Sequence, residues 1–435
     1  MRPRRRLGLI AAAAAAALLA MAPASATFGP RHDSGTDYFV PKADSGAYQQ
    51  IWNLYRSGNP ADARLIQQMV TTPQAVWVTS GTPKEVTKQV RATMRSAKAT
   101  RTVPVLVAYD LPYRDCAQYS AGGAADTAAY QAWIDAFAAG IGDGEAVVLL
   151  EPDSLGIIPF YDQFGSADGS DALEWCQPTV TAADGTKSPA PEADPAHRFA
   201  QLNHAVDALK ALPKTTVYLD GTHSQWLGSG DAAQRLSLAG VAKADGFFLN
   251  VSNYQVDPQL IKYGTWISKC LWFATDPGSW GLGHFNYCGS QYYPATASDF
   301  STWTLTDQWY ANNVENQTWV PYPGDAGLTH FVIDSSRNGQ GPWVGAEDWC
   351  NPPDRGLGVR PTSNTGVPLL DAYLWVKIPG ESDGSCTRGT AGPGDPVRGM
   401  VDPAAGQWFP AAALELVQNA NPPLATGWSW TGPKR

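Results

Sequence analysis

The chain has 435 residues, 31 Lys and Arg against 40 Asp and Glu, a formal charge of -9, and 17 Trp among 44% hydrophobic residues. That length suits one large domain, such as a barrel with inserted loops, and the acidic balance gives no electrostatic footing for nucleic acid or an anionic membrane surface. Six histidines without an H-E-x-x-H pattern, and cysteines without zinc-like spacing, leave no expected metal or cofactor.

Residues 1–26, "MRPRRRLGLIAAAAAAALLAMAPASA", have a basic start, an apolar stretch and small residues at Ala24-Ser25-Ala26. This pattern predicts a secretory signal peptide cut before Thr27. Its four arginines leave with it, taking the formal charge from -9 to -13. Residues 27–435 are read as a single domain with long loops and a loose tail over about 27–36. In an exported chain the six cysteines, Cys116, Cys176, Cys270, Cys288, Cys350 and Cys386, suggest three disulfides.

Along the chain, short apolar runs occur at 75–79, 103–109, 146–151, 216–220, 246–250, 330–334 and 371–377. Continuous rather than alternating, they predict strands buried on both faces of a parallel sheet. Helical patterns over 82–97, 126–141, 195–212 and 296–317 lie between them. The alternation predicts an α/β fold, most simply a closed β/α barrel. Four segments, 160–194, 255–295, 338–365 and 384–406, are rich in Gly, Pro, Ser and Asp and are read as irregular lids.

In such a barrel the active face lies at the carboxyl ends of the strands. Those ends carry Trp77, Tyr109, Glu151 with Asp153, Asp220, Asn250, Asp334 and Lys377, and further carboxylates follow at Asp115 and Asp383. Paired carboxyls suit glycosidic cleavage, where one acid protonates the leaving oxygen, and crowding among carboxylates raises the pKa of that acid. Taken singly, an Asp after a strand is more often a cap or turn residue. The tryptophans Trp77, Trp226 and Trp349 lie beside these motifs and can stack on sugar faces, whereas Trp133 sits in a helical apolar stripe that suits the core. Gly380-Glu381-Ser382-Asp383-Gly384 fits the esterase G-x-S-x-G pattern, but the Gly/Pro-rich stretch after it cannot supply the required helix. "NVS" at 250–252 and "NQT" at 316–318 match the glycosylation pattern.

The segments "AYDLPYRDC", "VVLLEPDSLG", "YLDGTH", "NVSNY", "FVIDSSRNG", "DWCNPPDRGLGVRPTSNTG" and "LLDAYLWVKIPGESDG" together resemble glycoside hydrolase family 6, the inverting cellulases. The likeness runs from about Phe39 to "WFPAAALELVQNANPPL", nearly the whole mature chain. It implies a distorted seven-stranded parallel β/α barrel whose long loops enclose an active-site tunnel. By resemblance Asp153 is the general acid, Asp115 the neighbour that raises its pKa and passes a proton through water, and Asp383 the proposed base. Tyr109, Arg114, Asp220, His223, Asn250, Lys377 and Glu381 match substrate-binding or charge-organising positions, and Trp77, Trp226 and Trp349 match sugar platforms. The resemblance also pairs Cys116 with Cys176 and Cys350 with Cys386, leaving Cys270 with Cys288. Two positions depart from the family: Ala121 stands where a serine is frequent, and Ser229 where some members carry a second tryptophan. The implied activity is a secreted cellobiohydrolase releasing cellobiose from non-reducing ends. Alternatives are an open-cleft endo-1,4-β-glucanase and an inactive polysaccharide-binding protein. Expected partners are cellulose and cello-oligosaccharides, with no nucleic acid or membrane and a monomeric chain.

Overall fold

The computed structural model describes residues 35–425 apart from 117, 162, 166–175 and 319; the expected leader over 1–26 lies outside the described residues. Seven parallel strands form one curled sheet: β1 Val76–Val78, β2 Val105–Ala108, β3 Ala146–Leu150, β6 Thr215–Asp220, β7 Gly246–Leu249, β8 His330–Asp334 and β9 Leu370–Leu374. They stand side by side in that order, and each falls within one of the seven apolar runs or overlaps it. The two edges approach each other: the Ala75 N–H donates to the Trp375 carbonyl at 2.9 Å and Trp77 Nε1 donates to the Val376 carbonyl at 2.8 Å. A short antiparallel hairpin, β4 Thr179–Thr181 with β5 Lys187–Pro189, decorates the surface between β3 and β6.

Strand residues alternate between two apolar clusters, as side chains on successive positions must. Val105, Val107, Val147, Leu149, Tyr218, Phe248, Val332, Ala372 and Leu374 fill the inside of the curl. Leu106, Ala108, Val148, Leu150, Val217, Leu219, Phe247, Leu249 and Ile333 face outward onto helices. Those helices are α3 Pro83–Thr100, α4 Thr127–Ile141, α5 Pro195–Lys210, α6 Ser229–Leu238, α7 Asp257–Thr275 and α8 Trp303–Tyr310. Trp133 is 2% exposed among them, as its helical stripe suggested. Burying such a ring contributes on the order of 2–3 kcal/mol. A third cluster joins α1 Ser45–Arg56, α2 Pro60–Val70 and α9 Pro410–Gln418 around Trp375.

Helix starts follow their local chemistry. Thr82 and Glu85 form a reciprocal capping box on α3 with Pro83 in its first turn. Asp126 and Asp194 cap α4 and α5 by accepting the N–H groups of Ala129 and His197.

Two expectations need correction. The segment 255–295 is not one irregular lid, because its first half is the 19-residue α7, which buries Leu260, Tyr263, Trp266, Ile267, Cys270, Leu271 and Phe273. The single helix expected over 296–317 is instead a 3-10 turn at Phe300–Thr302, α8, and a wider π turn over Ala311–Glu315.

Among the cysteines, Cys270–Cys288 and Cys350–Cys386 are bonded. The third expected bridge is absent: Cys116 and Cys176 are free thiols. The Cys176 side chain lies close enough to Cys116 to hold its thiol below its usual pKa.

Candidate functional site

Straight after β3 the chain enters the left-handed region at Glu151 (φ 54°) and again at Asp153 (φ 63°). Non-glycine residues rarely adopt this conformation, and it gathers at functional sites where the surroundings enforce it. Here the enforcing contact is Glu151 itself, fully buried, whose Oε2 accepts the N–H groups of Asp110 at 2.9 Å and Leu111 at 3.1 Å. Glu151 therefore ties the end of β3 to the end of β2, and Asp153 is turned toward the space above the barrel. Tyr113, Asp115, Thr222, Asn250 and Ser252, all just past strand ends, also have positive φ.

A cavity of about 990 Å³ opens over these strand ends and is lined by Asp115, Asp153 and Asp383 together with Trp77, Tyr109, Arg114, His223, Trp226, Trp349, Lys377 and Glu381. The structure thus brings together all three expected acids and eight of the ten expected binding residues. The remaining two, Asp220 and Asn250, do not line it. Asn250 is fully buried and is used up locally, its Nδ2 donating to the Asp334 carbonyl at 2.9 Å and its Oδ1 accepting the Gln255 N–H at 2.9 Å. Direct sugar contact is closed to it, and the same burial removes it as a glycosylation acceptor. Asp220, 3% exposed, accepts the N–H groups of Thr222 and Leu155 and lies behind Asp153 as a charge neighbour.

The carboxyls are held in opposite states. Burial, then the charges of Asp220 and Asp115, push Asp153 well above the usual carboxylate range. Burial also raises Asp115, whose Oδ2 accepts the Ser120 N–H at 2.7 Å. Asp383 goes the other way, because the Arg337 and Lys377 cations outweigh its burial. Its oxygens accept from Arg337 at 2.8 and 2.9 Å, from the Asn351 N–H at 3.0 Å and from the Tyr254 hydroxyl at 3.3 Å, with Lys377 Nζ 3.5 Å away. An acid whose environment favours its protonated form thus faces the cavity together with a carboxylate whose environment favours its charged form. Such divergence of pKa assigns acid and charge-holding roles.

Around these acids the polar groups are fixed. Arg114 donates to the carbonyls of Thr79 at 2.7 Å, Ser120 at 3.2 Å and Tyr109, with its guanidinium over the Tyr109 ring. Burial lowers His223 to about 4, so it stays a neutral imidazole, tilted against Trp226. Glu381 is raised to about 7 by burial, countered by Lys377. Trp226 packs on Gly156, where an added Cβ would lie 2.4 Å from its ring; only glycine leaves the indole in place.

Sequence reasoning expected loops closing over the site but missed the residue that joins two of them. Tyr119, on the loop after β2, reaches the loop after β9: its hydroxyl accepts the Thr387 N–H at 3.2 Å and lies 3.5 Å from Glu347 Oε2. Its ring tilts against Trp349 at 5.8 Å. A Cβ at Gly384 would lie 2.6 Å from Tyr119, so a glycine admits the contact. Arg337 was also missed, although it stands in the "FVIDSSRNG" stretch, as were the cavity-lining Asp44 and Trp408. Ser382, the would-be esterase nucleophile, is buried and donates to the Pro403 carbonyl at 2.7 Å, outside the cavity lining. Cys386, Asp395 and Asp402 form the one cluster of potential metal donors among the described residues. Its sulfur is bound to Cys350 and Asp395 is paired with Arg388 at 2.8 Å, so it reads as a structural clasp.

The model of glycosyl hydrolases family 6 matches residues 33–420. An endoglucanase A of Thermobispora bispora is 30% identical over 97% of this chain and 71% of its own length. A probable 1,4-β-D-glucan cellobiohydrolase C of Aspergillus fumigatus is 30% identical over 73% of this chain and 62% of its own. The solved structure of the endoglucanase Cel6 from Mycobacterium tuberculosis, in complex with methyl-cellobiosyl-4-deoxy-4-thio-β-D-cellobioside, is 31% identical, with a TM-score of 0.59 over 88% of this chain and 97% of that one. With the curled parallel sheet and the acids at its strand ends, these matches place the chain in glycosyl hydrolase family 6.

Proposed function

We propose that this protein is a secreted cellulase that hydrolyses β-1,4-glucosidic bonds with inversion, working from chain ends and releasing cellobiose. The observation that carries the chain-end reading is the Tyr119 bridge, which joins the loops after β2 and β9 beside a cavity holding all three acids. A cellulose chain enters such a site by threading an end rather than by settling sideways. Relatives named as endoglucanases support the second reading, an open cleft that cuts within chains.

Asp153, whose burial and carboxylate neighbours favour the protonated form, gives its proton to the leaving glycosidic oxygen. Water attacks the anomeric carbon from the opposite face, so a β-bond yields an α-product. The water's proton leaves toward Asp115 through solvent. Asp383, with its oxygens already engaged by Arg337, Asn351 and Tyr254, is a poor proton acceptor and serves to fix Lys377 and Arg337. Trp77, Trp226 and Trp349 offer ring faces along the cavity wall. Export rests on the leader pattern at 1–26; among the described residues no helix is long and apolar enough to cross a membrane.

The test is the change in viscosity of carboxymethylcellulose per reducing end formed by the purified chain. Chain-end action releases sugars with little loss of viscosity. A steep early fall would replace the chain-end reading with the internal one.

A further inference from the structure

Asp115 and Asp153 stand on separate turns, after β2 and β3, and each turn contains non-glycine residues with positive φ: Tyr113 and Asp115 in one, Glu151 and Asp153 in the other. Such backbone persists only where its surroundings over-determine it. Glu151 secures the start of the Asp153 turn, and the helix layer holds the rest from behind. Arg198 of α5 is 3% exposed and donates three hydrogen bonds to backbone carbonyls. Its Nη1 donates to the Ser154 carbonyl at 2.8 Å and to that of Ile157 at 2.9 Å, and its Nη2 donates to the Pro112 carbonyl at 3.0 Å. Ser154 directly follows Asp153, and the Ile157 N–H donates to the Asp153 carbonyl at 2.8 Å. Pro112 belongs to the other turn, in which the Arg114 N–H donates to the Leu111 carbonyl at 3.0 Å. One guanidinium therefore joins the two acid-bearing turns.

A second buried arginine supports the same stretch. Arg235 of α6 is held by Asp231 through Nε at 3.0 Å and Nη2 at 2.8 Å, and its Nη1 donates to the Leu155 carbonyl at 2.7 Å. Asp220 accepts the N–H of that same Leu155 at 3.2 Å. Desolvating a guanidinium is costly, and a polar group is kept in such a place only with its hydrogen bonds made. The planar fork of Arg198 sets three acceptors in fixed relation, whereas an ammonium is a point charge on a flexible stem. Precision matters here because misplacing a catalytic group by about 1 Å can cost about 100-fold in rate.

We propose that Arg198 is a positioning residue for proton transfer, holding the Asp153 turn in register with the Asp115 turn so that Asp153 meets the leaving glycosidic oxygen. The proposal rests on the general-acid reading above and adds a residue that does not itself line the cavity. Its test compares two substrates: cellotetraose, whose leaving group needs a proton, and dinitrophenyl cellobioside, whose leaving group needs none. Asp153→Asn is the reference, and thermal unfolding of each variant sets an assay temperature at which it is folded. In Arg198→Lys, kcat for cellotetraose falls roughly 10- to 100-fold, the range for a displaced catalytic group, while KM is unchanged and dinitrophenyl cellobioside is turned over at close to the parental rate. Arg198→Gln, a neutral donor without the fork, shows the same split. A merely structural loss would instead lower both substrates alike. An equal loss on both substrates, a parental kcat on cellotetraose, or a higher KM at unchanged kcat overturns the proposal. Failure of both variants to fold also overturns it and makes Arg198 a stability element. If Asp153→Asn itself shows no split, the general-acid reading falls and the positioning role with it; a split in Asp153→Asn without one in Arg198→Lys removes the positioning role alone.

Discussion

Replacing Asp383 with Asn removes a charge and keeps the shape, leaving the guanidinium of Arg337 and the ammonium of Lys377 with no neutralising partner in a buried setting. Breaking one side of a buried ion pair costs about 3–5 kcal/mol. The side-chain exposures of 3% for Arg337 and 5% for Asp383 put this pair in that class rather than among surface pairs of little worth. For a chain of this length the unfolding entropy is about 0.8 kcal/mol per degree, so the expected fall in Tm is about 4–6 °C. The pKa of Asp383 is lowered in the folded state, so its stabilising contribution is present above the unfolded carboxylate pKa and is lost as pH falls through the folded one. The Tm gap between Asp383→Asn and the parent should therefore narrow in strong acid. Kinetics separate anchor from base: if Asp383 took the proton from water, azide, an anionic nucleophile that attacks the anomeric carbon without needing a base, would restore turnover in Asp383→Ala by forming the glycosyl azide. The expected result is no azide rescue. Rescue, or a Tm unchanged at neutral pH, would refute the assignment of Asp383 as a charge anchor.

Asp153→Asn should lower turnover of cellotetraose by roughly 10²–10⁴, the usual contribution of a general acid, while dinitrophenyl cellobioside, whose leaving group needs no proton, is still hydrolysed; near-parental cellotetraose turnover would remove Asp153 from its role. Glu151 is raised to about 8 by burial, so the folded state holds its proton more tightly than the unfolded one. Its contribution to stability is then full below the unfolded pKa of about 4.5 and declines as pH rises to about 8; urea unfolding of Glu151→Gln across that window should show a flatter pH dependence than the parent. Tyr119→Ala removes one hydrogen bond and one ring contact from the roof, together about 1–3 kcal/mol. It should raise the loss of carboxymethylcellulose viscosity per cut, and an unaltered viscosity profile would mean that the bridge does not govern access.

The strands were legible because parallel sheets bury both faces and so write unbroken apolar runs, as at 146–151. Helix α7 was hidden because its apolar stripe runs directly into the Gly- and Pro-rich stretch after Asp276, and the composition of the whole segment masks the period of its first half. The acids were legible from their place at strand ends. Which way each strand-end side chain points was not: Asn250 follows β7 just as Glu151 follows β3, yet both are turned into the protein while Asp153, two positions on, reaches the cavity. Tyr119 and Arg337 escaped notice because their partners, Thr387 and Asp383, are distant in sequence and meet them only across the barrel mouth. The Cys116–Cys176 expectation located two side chains that do meet, but proximity is a weaker condition than a bond.

The most direct measurement is the ratio of soluble to insoluble reducing ends released from amorphous cellulose by the purified chain, with the soluble sugars identified. A roofed site fed from chain ends predicts a high ratio with cellobiose dominant. A low ratio, with new ends accumulating in the solid, would contradict it and make this protein an internal cutter despite the Tyr119 bridge.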